Sequence, residues 1–491
     1  MVQSDILKSA LPYIALAATS WYIFKIFIKP FLSPLRKIPG RPYKPFIGNM
    51  REALQEEAMS NTINWMKEYN SRIVRFYFLR GEGRVLIADP EMIKHVLVTN
   101  SKNYVRMSSD NLRAITPGFL LTLSGDEHHT LRKYLNPAFN SHAVNEFIPV
   151  FEKTARKVIH CWEAEMRNLG VLSAHVPAQS FMSRLTLEAI CLCGFDYDIN
   201  SVEEPEQSGA QSFQRILQGF QLRLSKLLPL QWLPTKSNRL AWADLKFLYS
   251  TIQNVIAQKR KRLAAGHASN DLLARLLQAR DENGNGLTDD CLLDQVCGFL
   301  FAGFETTSMN LTWTLLMLAE HPDIQEKVRQ EVMTLLPDTN TPVTAKVLDG
   351  LTYLTCVIKE SLRLFPPASI IFRKAVENDY LGGYLIPAGT PVGISIGALH
   401  RLPENWEDPT TFKPERFLEP YDPYKFMPFI TGPYMCIGHI FSLTETKVTL
   451  ALILRHFKLS LTPGYKYRRI RQLTLQPSPP LTLTVQALEH S

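Results

Sequence analysis

Phe429-Ile430-Thr431-Gly432-Pro433-Tyr434-Met435-Cys436-Ile437-Gly438 sets one cysteine between two glycines, in a run from Met427 to Gly438 that carries no charge. The residues that follow, Phe441, Leu443, Thr446, Val448, Leu450 and Leu452, read as a buried helix. The thiol therefore sits in a loop that enters a helix, where free backbone N–H groups and the positive end of the dipole favour a thiolate. A thiolate in an apolar, hydrogen-bonded pocket is what a haem iron needs as a strongly electron-donating axial ligand. Gly432 would allow a tight turn, and Gly438 a close approach of the helix to a flat macrocycle. A lone cysteine buried for packing is the commoner arrangement and fits the stretch equally when taken alone. The rest of the chain has to separate the two.

Composition narrows the class. A length of 491 residues allows about three domains, yet no boundary shows in the sequence. Hydrophobic residues make up 45% and charged residues 20%, ordinary for a globular chain with a large core. The net charge of +8 is modest, and no basic stripe is interleaved with aromatics, so nucleic acid is not an expected partner. The run Lys466-Tyr-Arg-Arg-Ile-Arg471 reads as a solvated strand or turn. The seven cysteines have no CxxC spacing. Cys161, Cys191, Cys193, Cys291, Cys297 and Cys356 lie in apolar, helix-like surroundings, which points to reduced thiols in a cytosolic setting.

The amino end reads as a membrane segment. Residues 9–28 hold one charge, Lys25, and twenty helical residues rise about 30 Å, the thickness of a hydrocarbon core. Lys25, Lys29, Arg36, Lys37, Arg41 and Lys44 cluster on the carboxyl side, which places that side in the cytosol. A cleaved signal peptide would be shorter, with its charges in front. Residues 1–29 are therefore an expected anchor helix. Residues 30–48, with Pro30, Pro34, Pro39, Gly40, Pro42 and Pro45, are an expected proline-rich hinge that resists helix.

Residues 51–69 read as helix, and 73–78 and 84–87 as strands. Residues 108–125 form a loop with an apolar tip, Phe119-Leu120-Leu121. His128 and Arg132 are four apart and share a helix face, where two donors would suit a pair of carboxylates; a polar surface helix would look the same. Residues 145–280 are mostly helical, and 213–232 are apolar enough for a lid or for plain packing. Asp281-Glu-Asn283-Gly-Asn285-Gly286 mimics the start of a calcium loop, but Leu292 stands where a bidentate Glu is needed, so it reads as a turn before a helix capped by Thr288.

That helix, residues 289–320, carries Ala302-Gly303-Phe304-Glu305-Thr306-Thr307 in its middle. Glycine there costs about 1 kcal/mol against alanine, and a buried carboxylate is costly too. A helix that must widen beside a bound gas molecule and hand it protons could use both, through a short hydroxyl–carboxyl relay. The alternative is a threonine bonded back to its own helix and a Glu paired elsewhere. Glu360 and Arg363 face each other at i,i+3 before Pro366-Pro367.

These motifs together resemble the cytochrome P-450 monooxygenases. The Phe-x-x-Gly-x-x-x-Cys-x-Gly stretch is similar to the family's haem loop, with Tyr434 where the family usually has Arg. Ile38-Pro-Gly-Arg-Pro resembles its proline hinge, His128-x-x-x-Arg132 its propionate pair, and Ala302 to Thr307 its oxygen-side helix. Glu360-x-x-Arg363 with Arg416 of Pro414-Glu-Arg-Phe417 resembles its structural ion-pair network, and Arg373 stands where the family binds a propionate. The resemblance implies a mainly α fold with small β-sheets, the cytochrome P-450 fold, in which residues 49–491 form a single haem domain after the anchor. It implies heme b (iron protoporphyrin IX) ligated by Cys436 and held among Phe429, Gly432, Tyr434, Gly438, His128, Arg132 and Arg373. It assigns Thr306 to stabilising bound dioxygen and Glu305 to proton delivery. Residues 108–125 would cover the substrate, and residues 368–372 would line its pocket.

The implied function is oxidation of a lipophilic molecule of terpenoid, steroid, fatty acid or polyketide type. Its electrons would come from an NADPH-fed flavoprotein reductase, the NADPH-cytochrome reductase of the endoplasmic reticulum membrane, for which Arg132, Lys133 and Lys447 offer a basic docking face. The style resembles microsomal members, including those of fungal secondary metabolism. An oxygen-independent haem-thiolate isomerase or dehydratase, or a non-catalytic haem or lipid carrier, would share the loop but not need the acid–alcohol pair.

Overall fold

The computed structural model describes residues 2–55, 57–107, 110–206, 235–267, 269–280, 284–338 and 341–488. The candidate lid at 213–232 and the first turn residues, 281–283, lie outside the described residues. The described chain is mainly helical, with one five-stranded, one three-stranded and two two-stranded sheets. It divides into two compact units.

The first unit comprises residues 1–107, 369–409 and 422–427. Its helix Val2–Ile23 continues through a wider π turn, Phe24–Ile28, into Lys29–Leu32. Tyr13, Leu16 and Trp21 stand exposed on it. The stretch Tyr13–Lys37 is long and apolar enough to cross a membrane. Pro30 and Pro34 do not abolish helix as expected. Each opens a short turn instead, at the position where a missing N–H is no loss. Residues 51–69 are two helices, Met50–Gln55 and Ser60–Glu68, because Met59 takes a left-handed conformation (φ 72°) at the start of the second. The five-stranded sheet has the spatial order Ile73–Tyr77, Gly83–Ile87, Pro391–Ile394, Ile371–Ala375 and Tyr104–Arg106. All its neighbours are antiparallel except Gly83–Ile87 with Pro391–Ile394. Arg373 lies on this sheet, opposite Val392 on one side and Arg106 on the other.

The second unit comprises residues 108–368, 410–421 and 428–491. Its axis is the helix Asp289–Glu320. The Thr288 side chain caps it by accepting from the Cys291 N–H, and Asp289 and Asp290 complement the positive end. His321 ends it, and Pro322 opens the next helix, Pro322–Leu335. Nearly every residue from Leu292 to Ala319 is buried, as a helix apolar on all sides must be.

The expectation that Gly303 lets this helix widen is not what its backbone shows: the α-helix is unbroken from Asp289 to Glu320. Gly303 serves packing. A Cβ there would lie 3.1 Å from Ile190 Cγ1 on the neighbouring helix Ala178–Phe195. Thr186 of that helix donates to the Phe304 carbonyl at 3.0 Å, which fixes the crossing. The helix His439–His456 runs straight into strand Phe457–Leu461. That strand pairs with Leu483–Ala487, which pairs in turn with Ser173–Val176. Arg468–Arg471 and Leu475–Ser478 form a separate hairpin.

Candidate functional site

Backbone geometry makes the cysteine loop. Gly432 has φ 77°, a left-handed value glycine adopts freely, and Ile430 is forced to φ 52° just before it. The 3-10 turn Gly432–Tyr434 follows, with the Met435 N–H donating to the Gly432 carbonyl. The Cys436 N–H then donates to the Phe429 carbonyl at 3.0 Å, closing the loop. Gly438 precedes the helix His439–His456, and a Cβ on it would meet nothing within 4 Å, so the helix start faces open space.

All seven cysteines are free thiols, but only Cys436 is exposed. Burial pushes the thiols of Cys191, Cys193 and Cys297 well up. Those are packing cysteines. Cys436 is held at the surface of its unit by a strained loop, which a packing role does not need.

Helix Gly125–Leu135 lies against this loop. Arg132 donates through Nη1 to the Met435 carbonyl. Burial lowers its pKa, and a nearby Cys436 charge opposes that shift, so cation and sulfur are electrostatic neighbours. His128 is buried on the same face, its ring 4.5 Å from that of Tyr434. Tyr434 Oη accepts from the Gly125 N–H at 3.2 Å. Tyr434 thus holds the start of the helix to the loop, a role that needs no positive charge.

On the long helix, Thr306 Oγ1 donates back to the Ala302 carbonyl at 2.8 Å. The Glu305 carboxyl accepts from Thr474 and Gln476 of the carboxyl-terminal hairpin and turn. Its pKa is raised, burial outweighing those two bonds. Both side chains therefore adopt the self-bonded and paired arrangement open to them from sequence. Sequence reading missed two further contacts: Thr307 donates to Ser442 at 3.0 Å and Asn310 to Thr446 at 3.1 Å. They bond the oxygen-side helix to the cysteine helix. The signal was a polar residue every three or four positions on two otherwise apolar helices.

Glu360 and Arg363 are both fully buried. They pair through two parallel bonds, Nε to Oε2 at 2.7 Å and Nη2 to Oε1 at 2.8 Å. Arg416 Nε reaches Glu360 Oε1 at 3.0 Å, the Lys413 N–H adds a bond at 2.9 Å, and Arg363 holds the Thr411 carbonyl. One carboxylate thus gathers two cations and the Lys413 N–H, and Arg363 adds the Thr411 carbonyl. Arg373 lies in the first unit, buried on its strand with Nη1 bonded to the Phe372 carbonyl.

The donors suit a haem: an exposed sulfur, a guanidinium beside it, and a glycine with open space over it. Among the described residues no group of three or more His, Cys, Asp or Glu side chains could hold a bare metal ion.

Comparison with known proteins agrees. A family model described as "Cytochrome P-450" matches residues 38–485. The chain is 28% identical to cytochrome P-450 72A15 of Arabidopsis thaliana, covering 94% of this chain and 96% of that one. It is 29% identical to cytochrome P-450 monooxygenase sphH of Aspergillus fumigatus, over 90% and 87% of the two chains. It is 31% identical to a cytokinin hydroxylase of Arabidopsis thaliana, over 87% and 83%. The haem domain of a cytochrome P-450DA mutant superposes with a TM-score of 0.83 at 27% identity, covering 92% of this chain and 98% of that one.

Proposed function

Since the chain belongs to the cytochrome P-450 family and is a haem-dependent oxidoreductase of that fold, we propose that it is a membrane-anchored monooxygenase that oxidises a lipophilic small molecule with electrons from an NADPH-fed flavoprotein reductase. The observation that carries this reading is the exposed Cys436 in a loop shaped by Gly432, with the Arg132 guanidinium bonded to the carbonyl of the preceding residue, Met435. Relatives whose names contain monooxygenase and hydroxylase support the reaction class.

In this reading Cys436 would hold the haem iron through its sulfur. Arg132 and His128 would hold propionates, and Phe429, Gly432, Tyr434 and Gly438 would shape the loop around the group. A thiolate-ligated haem, when bound, supplies reductive activation of dioxygen. The residues of this chain do the rest. Glu305, kept protonatable by burial, stores a proton within the long helix. Thr306, whose hydroxyl hydrogen is engaged by the Ala302 carbonyl, offers its lone pairs to accept a hydrogen bond.

Phe119, Phe139 and Phe299 pack edge-on or tilted, with centroids 5.4 and 5.2 Å apart at Phe299, an aromatic cluster that favours an apolar substrate. The anchor Tyr13–Lys37 and the basic residues after it support a single pass in the endoplasmic reticulum membrane with the haem domain in the cytosol.

The test is incorporation of labelled oxygen. With reductase, NADPH, O-18 dioxygen and an extract of lipophilic metabolites, one labelled atom should enter product. Product formed without label, or without NADPH, would mean isomerase or dehydratase chemistry.

A further inference from the structure

The inference drawn here rests on the reading of Glu305 as a proton donor and concerns what sets that donor's geometry. Glu305 is 5% exposed, in the middle of the long helix. A protonated carboxyl has two unlike oxygens: one carries the hydrogen and donates, the other only accepts. Oε1 receives Thr474 Oγ1 at 2.9 Å and Gln476 Nε2 at 2.6 Å. An amide nitrogen has hydrogens to give and no lone pair to offer. Gln476 Nε2 also reaches Thr474 Oγ1 at 3.3 Å, which occupies a lone pair of that hydroxyl and leaves its hydrogen for Glu305. Oε1 therefore faces two donors.

Those donors are rigidly placed. Leu475 lies between them in sequence; its N–H donates to the Pro367 carbonyl at 2.9 Å, and its carbonyl accepts from Trp313 Nε1 at 2.9 Å. Gln476 itself stands opposite Ile470 in the hairpin.

We propose that Gln476 and Thr474 are positioning residues that hold Oε1 as the accepting oxygen of Glu305, so that its exchangeable proton rides on Oε2. In each delivery the O–H bond at Oε2 breaks and its proton bonds to the reduced oxygen, and a proton from solvent then re-forms the bond at Oε2, so the carboxyl itself is neither oxidised nor reduced over the cycle. Without the two donors the proton is shared between both oxygens, and half of the population presents it in the wrong place. Proton supply then falls to unguided water, and reduced oxygen escapes as hydrogen peroxide.

Infrared difference spectra test the arrangement directly. The band lost on Glu305→Gln, recorded at a pH that protonates the carboxyl, identifies its carbonyl stretch. In Gln476→Leu and in near-isosteric Thr474→Val that band should move to higher wavenumber, because the accepting oxygen has lost a hydrogen bond. In both variants, reconstituted with reductase and NADPH, the peroxide formed per NADPH should rise several-fold. If Glu305→Gln itself leaves peroxide unchanged, the proton-donor reading fails. If Glu305→Gln raises peroxide but both variants leave the band and the peroxide unchanged, the positioning inference is overturned.

Discussion

Arg132 and Glu445 show how differently single residues can be read. Arg132 lies beside Cys436 and was legible, because a cation four residues from His128 on one helix face is a local pattern. We expect Arg132→Leu to lower the haem-to-protein ratio of the purified protein. Loss of a charge-assisted bond to a propionate is worth about 1.5–3 kcal/mol. An unchanged ratio would remove Arg132 from the haem site. Glu445 was not legible. It looks like an ordinary polar position on the cysteine helix, yet it is fully buried, and burial raises its pKa well above the usual carboxylate value. A carboxyl with a raised folded-state pKa binds more protons folded than unfolded. Its contribution is neutral below the unfolded value near 4.5 and turns destabilising as pH rises toward the folded value. Glu445→Gln should therefore flatten the decline of melting temperature between acid and neutral pH. A decline as steep as that of the parent protein would contradict this. What hides Glu445, and equally the Thr474 and Gln476 partners of Glu305, is distance along the chain: 169 and 171 residues separate those donors from Glu305, and no local period reports them.

Helices and loops were the more readable level. The long helix begins at the Thr288 cap and ends before Pro322, because cap and proline act on their nearest neighbours. The turn at Gly432 was legible for the same reason. Gly303 was read in the right helix but for the wrong purpose, since Ile190, which needs the space, lies on a different helix. The pairing of Glu360, Arg363 and Arg416 has the strongest consequence at this scale. It ties helix Thr352–Leu364 to the turn Pro414–Phe417 through one buried carboxylate. Replacing Glu360 by Gln leaves Arg363 buried without its counter-charge. We expect a loss of about 3–5 kcal/mol in denaturant unfolding, with haem lost at lower denaturant than in the parent protein. A loss below about 1 kcal/mol, the range of surface pairs, would refute the buried-network account.

For the whole molecule, the mainly helical fold with small sheets was legible because five motifs stand in one order from Ile38 to Gly438, and the family match over residues 38–485 contains them all. The partition into two units, with residues 369–409 and 422–427 grouped with the amino end, was not legible, since it depends on which distant strands pair. Deleting residues 1–29 should move the protein from the membrane pellet toward the soluble fraction while leaving its haem absorption unchanged; a protein still wholly membrane-bound would show that other surfaces anchor it. Lys133 is exposed, whereas Lys447 is partly buried, so Lys133 is the stronger candidate for reductase docking. Lys133→Glu should raise the Michaelis constant for reductase and leave the haem spectrum alone; an unchanged constant would move docking elsewhere. The functional reading depends on a bond between Cys436 sulfur and haem iron. The most direct measurement is the carbon monoxide difference spectrum of the dithionite-reduced, full-length protein. The account predicts the red-shifted Soret band of thiolate coordination, absent in Cys436→Ser. An unshifted band in the parent protein, or a red-shifted one that survives Cys436→Ser, would contradict it.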